Sequence, residues 1–158
     1  MMREGFAPIS RAAVVFEIGK AITLSEGADV TFIAIGETVA EAVLASQLLA
    51  QQGISAGVMS MHTLKPLDKT AVLKAALSSK AIITVEEHSI YGGLGSTVAS
   101  LLMDAQVFLP FKAVGFPDEY TVTGSQVEIF THYGISPVGL AATAQQLLTS
   151  QVVREIVS

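Results

Sequence analysis

Thr84-Val85-Glu86-Glu87-His88-Ser89-Ile90-Tyr91-Gly92-Gly93-Leu94-Gly95-Ser96 is the stretch whose reading decides the fold. Just before and into it, Ala81-Ile82-Ile83-Thr84-Val85 is a β-branched run of the kind that fills a strand buried on both faces. The apolar run breaks into charge at Glu86-Glu87, where the strand is expected to end. Gly92, Gly93 and Gly95 follow, permitting a sharp turn and a close backbone approach. Ser96 is positioned to cap a helix carrying Val98, Ala99, Leu101 and Leu102. A buried strand, a polar turn, a glycine loop and a helix in succession describe one unit of an open α/β sheet. In such sheets, sites collect beyond the carboxyl ends of the strands.

Working outward, strands and helices continue to alternate. Towards the amino terminus, Lys20 to Leu24 reads as a short strand that turns through Ser25-Glu26-Gly27-Ala28 into a second strand, Val30 to Ile35. So short a link permits an antiparallel pair, which would make the sheet mixed at one edge. Thr38 and Glu41 have capping-box spacing for a helix whose apolar face runs through Val39, Ala42, Val43 and Leu49 and which Gly53 stops. Ile54 to Met61 is the next strand, and Asp68 is suited to cap a helix reaching Leu77.

Beyond the opening stretch, Lys112 to Phe116 is a further strand. Ser125 with Glu128 forms a second capping box, for a short helix ended near Gly134. Pro137 opens the last helix at its first position, with Leu140, Ala144, Leu147 and Leu148 as the buried stripe. The whole predicts a three-layer α/β/α sandwich around a five-stranded, mostly parallel sheet with one antiparallel edge strand. Residues 1–13 read as a tail or linker, and 14–158 as one domain.

Composition narrows the function classes. Half of the 158 residues are hydrophobic and only 15% charged, which points to extensive burial rather than disorder. A net charge of −5 provides no electrostatic footprint for nucleic acid or an anionic membrane. The absence of cysteine excludes disulfides and thiolate chemistry and suits a cytoplasmic setting. No apolar run approaches membrane-spanning length.

Several residues invite a chemical reading. His88 beside Ser89 suggests a hydrolase, but no Gly-x-Ser-x-Gly elbow surrounds the serine. Glu86, Glu87 and His88 suggest a metal site, yet His62 and His132 lack ligand spacing to them. His62, just after a strand, is placed either to face an interface or to bond nearby backbone. Tyr91, Phe116 and Tyr120 offer aromatic area for an interface or for the core. The loop formed by Glu87, His88, Ser89, Gly92, Gly93, Gly95 and Ser96 is the candidate site, as an interface or as an anion-binding loop at a helix start. It lacks both the dinucleotide fingerprint and the Lys-Ser/Thr of a phosphate loop.

The same loop resembles the acidic-His-glycine loop in the C-terminal domain of transketolase-type thiamine diphosphate enzymes. Phe16-Glu17-Ile18-Gly19-Lys20-Ala21, Asp29 to Gly36, Met61-His62-Thr63-Leu64-Lys65-Pro66-Leu67-Asp68 and His132-Tyr133-Gly134-Ile135 are similar to that domain in the same order. The resemblance covers about residues 14 to 150 and is greatest to the C-terminal section of split bacterial transketolases. Deoxyxylulose phosphate synthases and 2-oxo acid dehydrogenase β subunits are more distant relatives.

The resemblance implies a parent enzyme that moves two-carbon ketol units between sugar phosphates, using thiamine diphosphate and magnesium. It assigns this domain a non-catalytic, structural role in a homodimer, beside the cofactor-binding domains or subunit. The family's Gly-Asp-Gly cofactor motif does not occur in the chain, so no catalytic, cofactor-binding or metal-binding residue carries over. The chain alone is expected to be inactive. The competing reading is a free-standing ligand-binding or regulatory module built on the loop at 87–96.

Overall fold

A computed structural model describes residues 17–89, 93–116 and 124–157. Five strands, β1 (Ile22–Ser25), β2 (Val30–Ala34), β3 (Ala56–Ser60), β4 (Ala81–Ser89) and β5 (Phe111–Phe116), form one sheet in the order β1-β3-β2-β4-β5. β2, β3, β4 and β5 run parallel, and β1 is the antiparallel edge strand. The helices among the described residues are α1 (Thr38–Gln51), α2 (Lys69–Ser78), α3 (Leu94–Asp104), α4 (Gln126–His132) and α5 (Pro137–Val157), the last two following β5.

Alternation along the strands sorts the core into two halves. Val30, Phe32 and Ala34 of β2, Val58 of β3, and Ala81, Ile83 and Val85 of β4 face α1, α4 and α5. There they pack with Ala42, Leu49, Phe130, Leu140 and Ala144. Ile33, Met59 and Ile82 point to the opposite side, against Val72 and Ala76 of α2 and Leu94, Val98 and Leu102 of α3. The sheet thus lies between two helical layers. Among the described residues no helix is long and apolar enough to cross a membrane.

The antiparallel strand is where expected, but its partner is not. β1 pairs with β3, Ile22 beside Ser60 and Thr23 beside Met59, and not with β2. The connection from β1 to β2 therefore crosses the amino end of β3. Gly27 lies directly on the backbone of Gly57, so close that a Cβ on Gly27 would stand 2.0 Å from the Gly57 nitrogen. Ser55 fastens the crossing: its hydroxyl accepts from the Ala28 N–H (3.1 Å), and its own N–H donates to Asp29 Oδ2 (2.7 Å).

Helix starts show mixed agreement with local pattern. Asp68 caps α2 by accepting from the Ala71 N–H, and its other oxygen accepts from the Ala21 N–H (2.8 Å), tying the entry of β1 to α2. Ser125 and Glu128 form both halves of their capping box. Pro137 is the first residue of α5. Thr38 is not the cap of α1. It is the first helical residue, fully buried, and its hydroxyl donates to the carbonyls of Ile35 (2.6 Å) and Val85 (3.0 Å) instead. A buried hydroxyl seeks whichever acceptor its surroundings offer, and here the neighbouring strand offers one.

Candidate functional site

Strand order reverses between β2 and β4: from β2 the chain moves to β3 on one side, then jumps back over β2 to β4 and β5. The crevice beyond the carboxyl ends of β2 and β4 is thus the topological switch point, the favoured site location in such sheets. Gly36 and Glu37 approach it from β2, and Glu86 to Ser89 from β4.

β4 does not end at Val85. It continues through Ser89, with an irregularity between the Val85–Val114 pair and the Ser89–Phe116 pair. Because the backbone stays extended, consecutive side chains leave on opposite faces. Glu86 turns towards α3 and is 1% exposed. Its two oxygens accept from the N–H groups of Leu94 (3.0 Å) and Gly95 (2.8 Å) at the start of α3. Glu87 turns towards α1, where Oε1 accepts from the Glu37 N–H at 3.5 Å. Gly36, at φ +67°, leaves room for that carboxylate, since a Cβ there would stand 2.6 Å from Glu87 Oε1. The Gln126 amide donates to the Glu37 carboxylate, joining the start of α4 to the same place.

The glycine loop behaves differently from its sequence reading. Gly93 is the N-cap of α3 with φ −100°, a conformation open to other residues. Ser96 lies within the first turn of α3 and is not its cap; the first N–H groups of the helix donate to Glu86 instead. Gly95 is required for space, because a Cβ would meet Ala113 Cβ at 2.7 Å and Thr84 Oγ1 at 3.1 Å. Thr84 itself is fully buried, and its hydroxyl has no hydrogen-bond partner among the described residues. The side chains of His88 and Ser89, and all of Tyr91, Gly92 and Tyr120, lie outside the described residues.

His62 Nε2 contacts the Glu17 carbonyl at 2.8 Å, the backbone-bonded arrangement of its two sequence readings. Phe116 meets Tyr133 at a tilt, with a centroid distance of 5.0 Å, and packs against the core. No group of three or more His, Asp or Glu side chains suited to a metal ion occurs among the described residues. A concavity of about 550 Å³ opens at the other end of the sheet, between β1, β3 and α2, floored by Met59, Ala71 and Ala75 with Lys74 at its rim. No sequence pattern marks it.

Fold and site together define a mostly parallel α/β domain in which two glutamates at the end of β4 each accept from backbone N–H groups at a helix start. Residues 19–140 match the transketolase C-terminal domain, and the chain belongs to that family. One subunit of the apulose-4-phosphate transketolase of Phocaeicola vulgatus is 46% identical over 133 residues, covering 84% of this chain and 42% of that protein. The putative transketolase C-terminal section of Methanocaldococcus jannaschii is 38% identical over 126 residues, 80% of this chain and 39% of that protein. 1-Deoxy-D-xylulose-5-phosphate synthase 1 of Geobacter sulfurreducens is 37% identical over 145 residues, 91% of this chain but 23% of the synthase.

Among solved structures, a split-gene transketolase described as an inactive β4 tetramer superposes with a TM-score of 0.79 at 36% identity. The match covers 92% of this chain and 46% of that one. The chain spans less than half the length of these relatives.

Proposed function

We propose that the chain is the non-catalytic C-terminal domain of a thiamine diphosphate-dependent transketolase of the split type, acting in the cytoplasm on sugar phosphates. The carrying observation is the 46% identity to a transketolase subunit that aligns with 84% of this chain, over less than half of that subunit's own length. Its role is to extend the enzyme's assembly, pairing with a second copy and buttressing the cofactor-binding domains, with the loop at 87–96 as the candidate contact.

At the start of α3 the described residues offer no open place to a diphosphate. The N–H groups at the start of α3, where a diphosphate could be received, are taken by the Glu86 carboxylate, and a second anion there would meet its charge at close range. No step of ketol transfer is therefore assigned to this chain.

The test is to mix the chain with a subunit carrying the Gly-Asp-Gly motif and to follow size by light scattering and cofactor binding by calorimetry. The expected result is self-association of the chain, a larger complex in the mixture, and magnesium-dependent cofactor binding only where the partner subunit is present. Tight, magnesium-dependent binding of thiamine diphosphate by the chain alone would sink the reading. The 37% identity to a deoxyxylulose phosphate synthase over 91% of the chain favours a second parent. Assaying the reconstituted complex with pyruvate against a ketose phosphate donor separates the two.

A further inference from the structure

The Glu86 carboxylate has no catalytic assignment, yet it occupies an anion-receptive position at the start of α3. A helix start presents unpaired N–H groups and the positive end of the helix dipole. α3 is 11 residues long, long enough to present both. Glu86 reaches it from eight and nine residues upstream, one oxygen to each of two N–H groups, from a strand position that is 1% exposed. Directly beside this contact, the buried hydroxyl of Thr84 has no partner among the described residues and lies 3.1 Å from where a Gly95 Cβ would stand. Glu87 makes the corresponding, looser contact with α1 on the other face of the sheet.

We propose that Glu86 is a positioning residue that supplies the α3 amino terminus with an internal carboxylate. It thereby closes that terminus to phosphates and sets where the chain enters α3. The site is built for one carboxylate, and the protein brings its own. Two consequences follow. Inorganic phosphate finds no site at the Leu94 and Gly95 N–H groups in the native chain. Removing the side chain beyond Cβ leaves a space the size and charge preference of acetate, so free acetate is able to take its place.

The experiment compares the full chain with Glu86→Ala in thermal melts and amide exchange. In chloride, E86A is expected to melt lower and to exchange the Leu94 and Gly95 amides faster. Acetate at equal ionic strength is expected to raise the melting temperature of E86A saturably, as RT ln(1 + [L]/Kd), and to slow those two amides again. The native chain is expected to respond to neither acetate nor phosphate beyond the chloride control. Three results overturn the proposal: a folded E86A indifferent to acetate, equal responses in both proteins, or a saturable phosphate response in the native chain.

Should E86A fail to fold, Glu86→Gln decides. Glutamine keeps the shape but offers only one acceptor oxygen. One of the two helix amides then loses a charge-assisted bond and should exchange roughly tenfold faster or more, with the β2 amides unchanged. Native exchange at both Leu94 and Gly95 in E86Q overturns the proposal.

Discussion

Gly27→Ala is expected to destabilise the domain by about 3 kcal/mol or more, at the upper end of what overpacking costs. The added Cβ would stand 2.0 Å from the Gly57 nitrogen, 2.5 Å from the Ala56 carbonyl carbon and 2.7 Å from the Val30 oxygen. All three are backbone atoms of strands held in the ladder, so no rotamer change relieves the overlap. Either the β1–β2 crossing lifts away from β3 or the β3 ladder bends, and each loses hydrogen bonds. Urea titration of the variant should show a lower midpoint with an unchanged slope. A midpoint within error of the native chain would show that the crossing is not packed as described.

Phe32→Ala is expected to cost about 3–5 kcal/mol. Phe32 is the bulkiest of the fully buried side chains and sits at the middle of β2, between β3 and β4. It packs under α1 and α5 with Leu49, Val58, Ile83 and Leu140. Ladders on both sides fix the strand, so the surroundings have little freedom to close over the cavity. Against a typical stability of about 5–15 kcal/mol, this one change removes a large share, and a melt should show the domain unfolding well below the native temperature. A loss under about 1.5 kcal/mol, the range of volume-conserving swaps, would contradict the packing.

Much of this fold is legible in the sequence because its signals are local. The β-branched runs of β2 and β4, the Asp68 cap, the Ser125–Glu128 box and Pro137 each act within one turn or one strand. The misreadings share the opposite property. Thr38 with Glu41 has the spacing of a capping box, but the Thr38 hydroxyl is claimed by the Val85 carbonyl 47 residues away. Ser96 looks like a cap, yet Glu86 has already satisfied the start of α3 from the end of a strand.

Charge at Glu86-Glu87 reads as the end of β4, because nothing local announces that each carboxylate has a helix start waiting on its own side of the sheet. At the candidate site, the family resemblance points to the loop at 87–96, much of which lies outside the described residues. The role of Glu86 is not legible in the sequence, where it reads as a strand end or a metal-ligand candidate, since its partners come from three-dimensional placement. Nothing local singles out Gly27 and Gly57 either. Their significance lies in touching each other across 30 positions of sequence.

The crossing at Gly27 also constrains the order of assembly. β1 and β2 are joined by only residues 26–29, yet β3 lies between them in the finished sheet. If β1 and β2 zipped together first, as their short link invites, β3 would find its place taken. That hairpin is expected to act as a kinetic trap, with β2, α1 and β3 assembling before β1 on the productive route. On that route β1 joins late, stabilising the finished domain without guiding it there. Trimming Leu24 to alanine should accordingly speed unfolding and leave the refolding rate nearly unchanged.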